Sequence, residues 1–118
     1  MLKVSTEDFG DLAVIECQGR IVQSDAAFKV RRAVISRLGC RSIVLDLTEV
    51  EAIEGGGLGM LSALQKLAEE HRSRLLLFNP AESIRTRLTA SATPLSIVSF
   101  EEMMTLFERA NARCAQAA

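Results

Sequence analysis

The chain has 118 residues, 48% of them hydrophobic and 25% charged, with two Pro and seven Gly. That length suits one domain burying roughly two-thirds of the surface its unfolded chain exposes, and the composition excludes disordered, collagen-like and low-complexity chains. Fourteen basic residues are dispersed against fifteen acidic ones, the net charge is −1, and the only aromatics are five Phe, so a nucleic-acid footprint is not expected.

In chain order, Leu2 to Thr6 and the β-rich run Leu12-Ala13-Val14-Ile15-Glu16-Cys17 flank the turn-like Asp8-Phe9-Gly10-Asp11. They predict an N-terminal hairpin closed by Gly19. From Ser24 the period becomes helical. Ala27, Val30, Val34 and Leu38 form a stripe, Ser24 can cap, Asp25 suits the positive helix end, and Gly39 can close the helix. Ile43-Val44-Leu45-Asp46-Leu47 reads as a central strand covered on both faces, whose Asp46 needs a partner. After Glu54-Gly55-Gly56-Gly57, residues Leu58, Leu61, Leu64, Leu67 and Ala68 predict a second helix, ending in Glu69-Glu70-His71-Arg72-Ser73. Leu75-Leu76-Leu77-Phe78 is a buried strand. Asn79 as N-cap and Pro80 as first helical residue predict a short helix that turns Ile84 and Leu88 inward.

Ile97-Val98 is a last strand fragment. Ser99-Phe100-Glu101-Glu102 is a capping box, with Val98 and Met103 as its hydrophobic staple, and Met103, Leu106, Phe107, Ala110 and Cys114 make the stripe of the final helix. The order β-β-α-β-α-β-α-β-α implies an α/β sheet with parallel pairs and helices packed against it. Leu45, Leu47, Leu58, Leu61, Leu77, Phe78, Ile84, Leu88, Leu106 and Phe107 are expected in the core. No apolar run approaches the ~20 residues that span a bilayer, and Met1 to Asp8 has no signal-peptide core, so a cytoplasmic protein without membrane insertion is expected.

Chemistry is sparse. Cys17, Cys40 and Cys114 are widely spaced and read as reduced, packed thiols rather than a disulfide framework or a metal motif. The glycine run at a strand-to-helix turn leaves backbone bare, as an anion site requires, yet it fits neither the dinucleotide fingerprint nor a P-loop. A tight turn with positive φ and close helix packing is the favoured reading. His71, the one histidine, lacks ligand partners and is read as a helix-end residue. Glu49, Glu51 and Glu54 are placed on a solvated loop. Arg31, Arg32 and Arg37 read as a solvated helix face, and Arg85 and Arg87 could meet an acidic partner, a solvated face being the stronger reading. No nucleophile, base or metal set points to an enzyme, and no cofactor or metal is expected.

The strand ending Asp46-Leu47, then Val50, Ile53, Glu54-Gly55-Gly56-Gly57-Leu58-Gly59, then Leu75-Leu76-Leu77-Phe78-Asn79-Pro80, resembles the STAS domain of bacterial anti-sigma-factor antagonists. The likeness in element order covers nearly the whole chain. It implies one STAS-type domain over residues 1–118 with a mixed sheet of about five strands. The family's signature here is Asp-Ser-Ser-Gly-Leu-Gly, and phosphorylation of its first serine breaks the complex with an anti-sigma factor that is also a serine kinase. Here Glu54 stands at the Asp, and Gly55 and Gly56 stand at the serines; Gly55 has no hydroxyl to accept phosphate. The acidic residue that often follows the second strand is also missing, since Gly19 leads into Arg20, Ile21 and Val22.

The resemblance therefore implies a transcription-regulating binding module whose partner is an anti-sigma factor or serine-kinase-type protein, unswitchable at this serine. Its partner surface would comprise Glu54, Gly55, Gly56, Gly57, Leu58 and Asn79. The alternative is a STAS module that binds a small molecule or lipid, or serves a transporter or sensory complex. The sequence leaves a homodimer open.

Overall fold

Gly10 (φ 66°) turns the chain between β1 (Lys3–Phe9) and β2 (Leu12–Ile21), whose last pair is Phe9 with Leu12, a two-residue hairpin loop in which glycine supplies the positive φ. The computed structural model describes residues 2–21, 25–54, 56–90 and 95–117. Ser24 and Gly55 lie outside the described residues, as does the side chain of Cys114. After the hairpin come α1 (Asp25–Ile35), β3 (Ser42–Ile53), α2 (Gly57–Glu70), β4 (Arg74–Phe78), α3 (Glu82–Thr89), β5 (Ile97–Val98) and α4 (Phe100–Ala117). The strands lie side by side in chain order. The first pair is antiparallel and the other three are parallel, so the sheet is mixed and has five strands, as expected.

Alternation along the strands divides the core into two layers. Ile43, Leu45 and Leu47 face a layer with Val30 and Val34 of α1, Leu61 and Leu64 of α2, and Ile84 and Leu88 of α3. Val44 and Leu76 point the other way, into a layer with Leu12, Val14, Met103 and Ala110. Three helices thus cover one face and α4 alone covers the other. This explains the burial of the predicted core. Leu45, Leu47, Leu61, Leu77, Ile84 and Leu88 are buried, whereas Leu58, Phe78, Leu106 and Phe107 are half-buried. Leu58 sits at the open start of α2, and one helix leaves the flanks of its own stripe partly wet. The Phe107 ring is edge-on to Phe9, with centroids 4.9 Å apart.

Several boundaries differ from the expected ones. Gly19 does not close β2; at φ 118° it sits in a bulged stretch, and pairing with β3 continues to Ile21 and Ile53. That longer pairing also places Glu49 and Glu51 on β3 rather than in a loop. Helix α1 stops at Ile35, before Leu38 and Gly39. Arg37 N–H reaches the Val34 carbonyl at 3.0 Å and Cys40 N–H the Arg37 carbonyl at 3.1 Å, tightened turns that unwind it. Gly39 (φ 104°) serves the following loop, its N–H donating to the hydroxyl of buried Ser73 at 3.0 Å. Asn79 is not an N-cap and Pro80 is not helical. Asn79 is left-handed (φ 52°), Ala81 is the N-cap residue, and α3 begins at Glu82. A residue before proline avoids the helical region, and asparagine tolerates the left-handed one.

The final helix starts as read. Glu102 N–H donates to Ser99 Oγ and Ser99 N–H to Glu102 Oε1, each at 3.1 Å, and Val98 and Met103 are both buried beneath them.

Candidate functional site

The parallel strands all point their C-terminal ends toward one edge of the sheet, the edge where α/β folds commonly hold ligands and partners. At that edge β2 and β3 run on past β4. Glu54 N–H closes the end of the ladder on the Ile21 carbonyl at 2.9 Å, and Gly57 N–H returns to the Glu54 carbonyl at 3.1 Å. Gly56 is the N-cap residue of α2 with φ −80° and ψ 7°, a conformation open to any residue, and it is exposed. The expected positive φ is therefore absent from Gly56. The glycine requirement falls on Gly57, which is buried. A Cβ there would meet Ile53 Cγ2 at 2.7 Å and the Ile21 carbonyl oxygen at 3.2 Å, so the helix lies against the strands because this residue has no side chain.

Two arginines frame the turn. Arg20, beside Ala52 in the ladder, pairs with Glu54, both side chains being about half exposed. Arg87 of α3 donates to the Ile53 carbonyl, which ties the third helix to the end of β3. The sequence reading assigned neither contact. The signal for Arg20 was in the strand register, which brings residues 20 and 52 side by side once the bulge at Gly19 is known.

Among the expected site residues, Glu54, Gly56, Gly57 and Leu58 are contiguous at this turn. Asn79 sits elsewhere, just past the end of β4 and beside an earlier part of β3. Its Nδ2 donates to Thr48 Oγ1 at 3.2 Å, six residues and about 20 Å of strand before Glu54. Thr48 in turn donates its hydroxyl and its N–H to Asp46 Oδ1, the latter at 3.0 Å, and supplies the partner that a strand aspartate requires. His71 is the exposed C-cap residue of α2, with Nδ1 donating to the Leu67 carbonyl at 2.9 Å, a helix-end role. Among the described residues no three His, Cys, Asp or Glu side chains are placed to share a metal ion, and no helix is long and apolar enough to cross a membrane.

The cysteine environments differ. Cys17 is buried under the α1–α2 layer, and burial, followed by the nearby Asp46 charge, pushes its thiol up to about 12. Cys40 is partly exposed and is raised mainly by burial. Cys17 should therefore resist alkylation at neutral pH in the folded protein and react only on unfolding, as mass spectrometry of the modified chain would show. The sign for stability follows from the folded thiol holding its proton longer than the unfolded one, whose value is 9.0. Its contribution is complete below pH 9 and is lost as the pH rises from 9 toward 12.

The sequence profile of the STAS domain matches residues 3–111. The chain belongs to the STAS domain family. Its fold agrees. The anti-sigma factor antagonist SpoIIAA, in its unphosphorylated form, is 16% identical with a TM-score of 0.66, over 92% of this STAS domain and 98% of that chain. An anti-sigma factor antagonist from Mycobacterium paratuberculosis is 19% identical with a TM-score of 0.67, over 92% and 95% of the two chains. The murine anion transporter Slc26a9, inward-facing, is 12% identical with a TM-score of 0.62 over 95% of this STAS domain. The likeness spans only 19% of Slc26a9 and 20% of Mglu, so there the STAS fold is one part of a larger chain. No curated protein sequence is similar enough to match.

Proposed function

We propose that this STAS domain is a non-catalytic binding module of the anti-sigma-factor-antagonist kind. Its partner is an anti-sigma factor or serine-kinase-type protein, met through Glu54, Gly55, Gly56, Gly57, Leu58 and the neighbourhood of Asn79, and phosphorylation at the usual serine does not release it. The observation that carries this reading is the sequence Glu54-Gly55-Gly56-Gly57-Leu58-Gly59 at the mouth of α2. SpoIIAA, a fold relative, is known in phosphorylated and unphosphorylated forms, so a phosphate is part of that protein's chemistry. A phosphate adds a charge of about −1.5 to −2 and three acceptor oxygens; neither Gly55 nor Gly56 has a hydroxyl to carry one.

A fixed negative charge at Glu54 does not substitute for it. Glu54 corresponds to the position before the acceptor, holds one charge, and is engaged by Arg20. The pair offers an approaching partner little net charge.

The test has two arms. Proteins retained by the chain from its source cell, identified by mass spectrometry, should include a sigma-system regulator. With that partner in hand, Gly55→Ser plus kinase and ATP should produce ATP-dependent release that the natural protein does not show; release of the natural protein would overturn the proposal. Gly56→Arg should weaken the complex while leaving the thermal midpoint nearly unchanged, because residue 56 is exposed at a φ of −80°. Unchanged binding by that variant would place the contact elsewhere. The likeness to Slc26a9 supports the second reading, a module of a transporter complex, in which case the retained proteins would be membrane components.

A further inference from the structure

Four large hydrophobic side chains stand exposed among the described residues, and they fall into two pairs. Phe28 (54% exposed) and Ile35 (39%) lie on α1; Phe100 (68%) and Met104 (43%) lie on α4. Helix α1 packs on one face of the sheet and α4 on the other, so the two patches face away from each other.

Their electrostatic settings are opposite. On α1, Lys29, Arg31 and Arg32 are all exposed, and the Arg32 guanidinium lies 5.9 Å from the centre of the Phe28 ring. Phe28, Arg32 and Ile35 follow the spacing of one helix face. On the α4 side, Phe100 and Met104 border a groove of about 210 Å³ floored by Phe9, Phe78 and Phe107. Its polar wall is Glu7, Glu16 and Asp46, and no lysine or arginine among the described residues lines it. Glu16 and Asp46 are direct neighbours across the β2–β3 ladder, a like-charge pairing that costs stability unless a cation joins it. Asp46 has Thr48, while Glu7 and Glu16 have no partner among the described residues. Lys3, the cation on the same face of β1, is the diagonal neighbour of Glu16 across the β1–β2 ladder, while Glu7 lies four residues further on, about 13 Å along the strand. Carboxylates beside phenyl faces suit a guanidinium better than any other cation in the chain, because its flat, weakly hydrated group can stack on the rings while its N–H groups meet the acids.

We propose that the occupant of this groove is α1 of a second copy of the chain, with Arg32 entering among the carboxylates and Phe28 and Ile35 covering Phe100 and Met104. The contact joins two different surfaces on opposite faces of the molecule, so it is heterologous: each copy docked at its groove still presents its α1, and the assembly grows head to tail instead of stopping at a dimer.

Sedimentation velocity tests this. The average mass should rise with concentration at low ionic strength, pass twice the 12.9 kDa of one chain without a plateau, and return to one chain at ~1 M salt, where the screening length is about 3 Å. Glu16→Lys removes the groove and Arg32→Ser removes the insert; each variant alone should stay monomeric. Mixed in equal amounts they should form a two-chain complex, because one keeps a working helix face and the other a working groove. Met104→Ser and Phe28→Ser make a second such pair should either charged-site variant fold poorly. A natural protein that stays monomeric at every concentration overturns the proposal. So does a plateau at two chains, assembly by either variant alone, or a mixture that remains monomeric.

Discussion

Leu61→Ala is expected to lower the unfolding free energy by ~2–5 kcal/mol. Leu61 is completely buried, one turn into α2, in the layer that α1, α2 and α3 share with the sheet. Truncation removes transfer energy and leaves a cavity. Leu61 shares its buried layer with Ile43 and Leu45 of β3 and Leu75 and Leu77 of β4, strands hydrogen-bonded to each other, so the site has little freedom to collapse. Domains of this kind are stable by about 5–15 kcal/mol, so the loss is a large fraction of the total. Leu106→Ala should cost clearly less. Its side chain is only half-buried beneath α4, and water already reaches part of the space it would vacate. Urea melts of the two variants, compared at equal slope, check the ranking. Equal losses would mean that α4 packs as tightly as the three-helix face.

How far the sequence could be read depended on whether an element's cause is local or lies in a distant segment. All nine elements were legible because each carries a period or a punctuation mark of its own: the 3.6-residue stripes of α1 and α2, the apolar run at Ile43 to Leu47, and the reciprocal capping box at Ser99 and Glu102. What was not legible depended on contacts between distant segments. The tail of β3 reads as polar loop, with Glu49 and Glu51 in it, and is a strand because β2 pairs with it past the Gly19 bulge. The start of α3 was drawn to Asn79 and Pro80 by local capping rules. Pro80 is buried and Asn79 reaches sideways to Thr48, and this tertiary engagement delays the helix by two residues. At the candidate site the glycines stood out in sequence, but their reason did not. A glycine needed for positive φ and one needed for close approach look the same until the neighbours Ile21 and Ile53 are in place. The Arg20 and Arg87 contacts were hidden for the same cause, since each joins residues 34 apart.

That distinction makes two glycines of one helix respond in opposite directions to the same substitution. Gly57→Ala places a methyl group 2.7 Å from Ile53 Cγ2 and 3.2 Å from the Ile21 carbonyl oxygen. Neither neighbour yields easily. Ile53 is buried, and the Ile21 carbonyl is held by Glu54 N–H at 2.9 Å. The helix must therefore move away from the strand ends, at a cost of ~1–3 kcal/mol, and a larger residue such as Val should cost more. Gly59→Ala meets nothing within 4 Å, and residue 59 is exposed. There the methyl group only removes backbone freedom from the unfolded chain and improves helix propensity, a gain of about 0.5–1 kcal/mol. Thermal melts of both variants against the natural protein should bracket it, Gly57→Ala below and Gly59→Ala above. Because the turn before α2 carries the proposed partner surface, Gly57→Ala should also weaken partner capture, whereas Gly59→Ala should leave it close to the natural level. If both variants melt with the natural protein, α2 does not lie against Ile21 and Ile53 as tightly as these distances require.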